Sequence, residues 1–211
     1  MALRVAASGD IGGAMGYFTA GRFPKERQEA AVREAYVELR LRRAVALATV
    51  HQCAAANQGI ANLDAEDKAV PFTFNGFASF IKGVRFQYWM GVVEFACVDE
   101  NAARRRWEKL AKASLAVTST DHAYPYMALA KVDPEEGKVR ALAELESVQR
   151  QLATAAPANK GTLLYNQGLL QMIADRKKDA AASFRAGAAA GPPGMVEYLN
   201  LDAIRMLDPG Q

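Results

Sequence analysis

The chain has no run of about eighteen apolar residues and no basic-then-apolar leader, so it predicts no membrane span of its own. No β-rich tract competes with helix, and sheet architectures drop out. Histidine is scarce: His51 and His122 are the only two, and neither stands at ligand spacing from a Cys, Asp or Glu. A metal centre and a histidine-activated nucleophile are therefore not expected, and no catalytic residue, metal or cofactor is assigned. His122, in a Thr-Asp-His turn, reads as a helix cap. An excess of one charge is also missing, since the net charge is only +3 over 211 residues, too balanced for a nucleic-acid binder. Cys53 and Cys97 are the sole cysteines. Each lies in an apolar helical setting, which predicts buried free thiols and a cytoplasmic location, a disulfide requiring the two to be close in space.

What is present is helix-forming apolar content. Hydrophobic residues make up 51% and charged residues 23%, and the abundant alanine favours helices in close contact. Two patterns recur at one spacing: Tyr88, Gly91, Ala103, Trp107 and Tyr165, Gly168, Ala180, Phe184. In each, an aromatic stands three residues before a glycine, an alanine twelve after it and a large aromatic sixteen after it. The glycine and alanine are small where two helices must cross. The aromatic four residues past the alanine shares its face and is expected to fill the space between the pair and the next pair. Polar stretches from Val98 to Asn101 and from Asp175 to Lys178 have the length that turns a helix back on itself.

These intervals resemble the tetratricopeptide repeat family, whose repeats carry Gly, Ala, Phe and a closing Pro; Pro192 stands where that family ends its second helix. Weaker copies are Ala2, Ala14 and Phe18 around a Ser8-Gly9-Asp10 turn, and Ala44, Ala56 and Ile60 around His51-Gln52. A further copy, Ala128, Ala141 and Leu145, needs one extra residue in its turn near Asp133 to Gly137. Anchors at positions 2, 44, 91, 128 and 168 step further than the family's usual ~34 residues, so an irregular superhelix is expected. The resemblance implies an all-α fold, an α-solenoid of antiparallel helix pairs in a right-handed superhelix, forming one domain over 1–211. Its five repeats fall at 1–22, 25–63, 83–117, 121–154 and 160–191, with a long helix opened by Phe23-Pro24 and a capping helix at 194–207. Between them, 64–82 is an irregular segment whose Phe72, Phe74, Phe77 and Phe80 are expected to pack back on the array.

The run Tyr-Trp-Met-Gly at 88–91 with Ala-Arg-Arg-Arg-Trp-Glu at 103–108 is similar to the C-terminal repeat tail of large multidomain bacterial proteins of unassigned function. That similarity implies a longer native chain. The first repeat starts at its anchor, Ala2, which predicts exposed Leu3, Val5 and Ile11 and a homodimer contact through them.

By analogy with the family, a partner groove runs along the inner faces of the first helices, lined by Arg85, Tyr88, Val92, Phe95, Tyr165, Leu169 and Met172. It is largely apolar and suits an extended or helical protein segment rather than an acidic C-terminus. The alternative is that these side chains bury against neighbouring helices, and full burial of Tyr88 and Tyr165 with no groove between them would remove the assignment. Three functional readings follow: a non-catalytic protein-interaction scaffold, a structural tail that orients another domain, and a small-molecule or regulatory sensor. The remaining motifs carry less. Asp133, Glu135 and Glu136 read as a solvated acidic helix start, with an acid–base pair as the alternative. Gly9, Gly12, Gly13 and Gly16 miss the order of a dinucleotide loop. Arg104 to Arg106 with Lys109 and Lys112, and Arg176 to Lys178, are solvated faces or docking points for an acidic partner.

Overall fold

The computed structural model describes residues 1–20, 29–64, 77–191 and 193–207, and every regular element among them is helical. Expectations resting on Phe23-Pro24, Phe72, Phe74 and Pro192 lie outside the described residues. Where the repeat reading has one domain, the chain divides into two compact units, Met1–Arg106 and Trp107–Gln211. The division falls inside α7 (Glu100–Leu110). No helix among the described residues is long and apolar enough to cross a membrane.

The first unit begins with α1 (Ala2–Ala7) packed on α2 (Ile11–Ala20) across the expected turn. Gly9 has φ 99°, where a side chain is strained. The Asp10 carboxylate accepts the Gly13 amide at 2.7 Å, satisfying an otherwise orphan donor of α2. Leu3, Val5 and Ile11 are half-buried rather than exposed, because α1 and α2 cover one another. Next, α3 (Glu29–Thr49) turns into α4 (Cys53–Asp64) through His51 at φ 59°, and the Gln52 amide donates to the Leu47 carbonyl at 2.9 Å. After the single turn α5 (Ala78–Ile81) comes α6 (Val84–Cys97), and α3 packs on both α4 and α6.

Two apolar clusters hold this arrangement. Buried Phe18 meets Tyr36 edge-on at 5.5 Å between ring centres, and Tyr36 stacks on Phe77 at 5.3 Å. Phe77 thus packs inward as expected. Further along α3, Ala44 and Ala48 join Ala56 of α4 and Val93 of α6, with Ile60 against them. The small anchors Ala14, Ala44 and Ala56 are all buried, as are Gly91, Ala103 and Trp107; Ala2 is half-buried.

The cysteine expectation is corrected here. Cys53 and Cys97 are joined in a disulfide with Cα atoms 5.1 Å apart, so neither is a free thiol. Because α3 pairs with α4 and with α6, the start of α4 meets the end of α6 across 44 residues of sequence. Local sequence context carries no sign of that meeting.

In the second unit, α8 (Tyr124–Val132), α9 (Pro134–Ala153), α10 (Pro157–Ile173), α11 (Lys177–Ala189) and α12 (Met195–Leu207) pack in succession, and α10 also touches α8 and α12. Asp133 caps α9 by accepting the Glu136 amide at 3.1 Å, with Pro134 at the first helical position, so the acidic cluster is an ordinary helix start. Gly137 lies so near Ala130 that a Cβ there would sit 2.5 Å from the Ala130 Cα. The Gly168 anchor works as its spacing suggests. A Cβ at 168 would meet the buried Phe184 ring at 2.3 Å, and Ala180 on the same helix as Phe184 is fully buried. Asp175, at φ 61°, turns α10 into α11.

One boundary differs. The expected helix to 117 stops at Leu110, and 111–123 is irregular, with turns on either side of 113–116. Ser114, Val117, Thr118, Ser119 and Thr120 explain the break: β-branched residues resist helix, and hydroxyls offer the backbone competing bonds. The Ser119 Oγ accepts the Asp121 amide at 3.1 Å, one such bond.

Candidate functional site

The side chains expected to line a groove are mostly core. Arg85 is 1% exposed, Tyr88 4%, Tyr165 0% and Leu169 1%; Val92 and Met172 are half-buried, and only Phe95 is exposed. Burial takes Arg85, Tyr88, Tyr165 and Leu169 out of a partner's reach. Tyr165 donates to or accepts from the Tyr124 hydroxyl at 2.7 Å and faces the Phe184 ring. Arg85 is buried because α3 supplies its counter-charges: its Nη2 lies 2.6 Å from Glu34 Oε1 and its Nε 3.0 Å from Glu38 Oε2. Glu38, fully buried, also takes Arg42 Nε at 2.8 Å, and Arg42 lies 4.1 Å over the Trp89 ring.

An accessible concavity lies elsewhere, wholly in the second unit. It is a cleft of about 790 Å3 between the 111–117 stretch, α8 and α9. Leu115, Val117, Pro125, Leu129 and Val132 give it apolar walls, and Glu108, Lys112, Glu136, Arg140 and Glu144 give it charge. A second hollow of about 590 Å3 adjoins it, sharing Tyr126, Arg140 and Glu144 and adding Val139, Ala143, Ser147 and Arg150.

His122 builds one wall instead of capping a helix. Nearly buried at 5% exposure, its Nδ1 lies 2.9 Å from the Leu115 carbonyl and its Nε2 3.1 Å from Glu144 Oε1. The Tyr126 hydroxyl donates to the other Glu144 oxygen at 3.0 Å. Burial, then the Glu144 carboxylate it donates to, push the Tyr126 phenol up to about 12. Arg140 Nε donates to Glu136 at 2.7 Å across one helical turn. Both imidazole nitrogens of His122 are thus engaged, and the ring fastens the 111–123 stretch to α9. Among the described residues no three His, Cys, Asp or Glu side chains converge as a metal requires.

A second fastening comes from α10. The buried Asn166 amide nitrogen donates to the carbonyls of Val117, at 2.9 Å, and Ser119, at 2.8 Å. Neither His122 nor Asn166 is marked by local sequence; the signal is the break in helix periodicity after Leu110 with carbonyls to satisfy. Asn166→Ala is expected to cost about 1–3 kcal/mol, the net worth of two part-buried hydrogen bonds at roughly 0.5–1.5 kcal/mol each. Amide exchange across 115–121 should rise while α11 and α12 stay protected. Unchanged exchange there would mean that the stretch is held by other contacts.

The arginines of the two basic runs are ion-paired. Arg104 lies 4.0 Å from Glu100, Arg105 3.7 Å from Asp99, Arg176 3.0 Å from Asp179, and Arg106 Nε donates to Glu94 at 2.8 Å. No protein-family model matches the chain, and neither a curated protein nor a solved structure is significantly similar to it.

Proposed function

We propose that this chain is a non-catalytic binding module of irregular tetratricopeptide-like helix pairs, arranged as a solenoid, that takes an extended peptide or protein segment. The seat is the cleft of the second unit rather than the buried residues around Tyr88 and Tyr165. One observation carries this reading: two hollows, of about 790 and 590 Å3, share Tyr126, Arg140 and Glu144, so apolar walls continue into a charged, hydrogen-bonded strip. Such a mixture of apolar pockets and fixed polar groups is what peptide grooves use for affinity and register. His122 has no free ring nitrogen to offer a substrate, which favours binding over acid–base chemistry.

Selection of a random peptide library displayed on phage tests the reading. Half-buried Leu129 lines the cleft, and a carboxylate there removes its apolar wall. Peptides enriched on the wild-type protein should bind Leu129→Glu at least about tenfold more weakly, a loss of roughly 1.4 kcal/mol. Failure to enrich any peptide, or equal binding by a folded Leu129→Glu variant, would overturn it.

A further inference from the structure

We infer that the Cys53–Cys97 bond is a structural clasp holding α4 against α6, formed in an oxidising compartment, so that the protein acts outside the reducing cytosol. The bond joins the first residue of α4 to the last of α6. Beneath it the buried members of the shared core are Ala44, Ala48, Ala56 and Val93, three of them alanines of small apolar area, with Val45, Leu47 and Ile60 half-buried against them. Packing on α3 holds α4 more than packing on α6 does. A cross-link closing 44 residues adds to the hold between α4 and α6 by restricting the unfolded chain.

A catalytic or relay role does not suit the pair. The chain has two cysteines, both in this bond, with no third thiol to exchange with and no Cys-X-X-Cys spacing. Both are half-buried rather than sealed, so a reductant can reach them. A dithiol reductant would supply two electrons, break the sulfur–sulfur bond, close into its own disulfide and leave its two protons on the Cys53 and Cys97 thiols. In a thiol-rich cytosol that reaction would run to the open form. Exposed Val50, Phe95 and Val98 stand within three residues of the bridge, and opening would add the alanine cluster to this apolar surface.

The test uses the full chain. Purified without reductant and denatured, it should show no reactive thiol, and after dithiothreitol it should show both. Reduction should lower the Tm of the transition reporting the first unit by on the order of 10 °C. Amide exchange should rise across 53–64 and stay unchanged across 157–189. Cys53→Ala combined with Cys97→Ala should show the lowered Tm from the start and no response to reductant. Directed to a bacterial periplasm, the chain should give several-fold more folded protein than in the cytosol. Two thiols in the unreduced protein, an unmoved Tm and exchange on reduction, or equal folded yields from both compartments would each overturn the inference.

Discussion

Replacing Glu38 with alanine is expected to destabilise the first unit by about 3–5 kcal/mol, the cost of leaving buried charge uncompensated. Glu38 is fully buried between Arg42 of its own helix and Arg85 of α6, and both guanidinium groups are themselves 5% exposed or less. Removing the carboxylate takes a buried counter-charge from both cations, with Glu34 still beside Arg85, in a medium that solvates charge poorly. Burial pushes the Glu38 carboxyl up, but the charges of Arg85 and Arg42 and the hydrogen bonds they donate outweigh it, leaving the group below its ordinary value. An unfolded chain therefore takes up this proton first as pH falls. The stabilisation is complete above the unfolded value, about 4.3, and is lost as pH drops through the lower folded value. Hydrogen exchange across α3 and α6 measures both effects. Glu38→Ala should raise exchange there at neutral pH, and Glu38→Gln should flatten the acid dependence. A Glu38→Ala protein with wild-type protection would show that the cluster contributes nothing net.

Gly168→Ala is expected to destabilise the second unit, against the usual sign. At an unhindered helix position this change gains roughly 0.5–1 kcal/mol. Here the new Cβ would lie 2.3 Å from the Phe184 ring, which is fully buried. Overpacking of that kind costs about 1–3 kcal/mol, and Phe184→Ala, which empties the same contact, about 3–5 kcal/mol. The pair should therefore be coupled: Gly168→Ala with Phe184→Leu should lose less than the sum of the separate changes, by about 0.5–3 kcal/mol. Urea unfolding of the four proteins decides it. Additive losses, or a stabilised Gly168→Ala, would break the proposed pairing of the two positions.

The spacing of the two positions was legible in the sequence, but the expected place for the aromatic is between one helix pair and the next, whereas Phe184 lies against Gly168 inside the α10–α11 pair. A glycine and an aromatic sixteen residues apart, with an alanine between, encode one close crossing wherever the intervening turn is short. The turns at Ser8 to Asp10, His51-Gln52 and Asp133 were legible too, since their chemistry is local. What could not be read depends on groups far apart in the chain. Arg85 looks like a surface residue until Glu34 and Glu38, about fifty positions earlier, are placed beside it. The disulfide follows from two helices sharing α3 as a neighbour, which no spacing encodes. The cleft arises where helix periodicity fails after Leu110, and its walls are set by His122 and Asn166 satisfying carbonyls of an irregular stretch. Irregular backbone takes its shape from such side chains, whereas regular helix takes it from repetition.

The closeness of Gly137 to Ala130 bears on how the cleft would work. With the Ala130 backbone where a Cβ at 137 would go, α8 and α9 are closely packed at their elbow. On the proposed binding role, a guest would meet that wall of the cleft already set. Selection by contour follows, along with little loss of motional freedom in the host on docking, so that discrimination between guests would rest on their shape and on how quickly each one leaves.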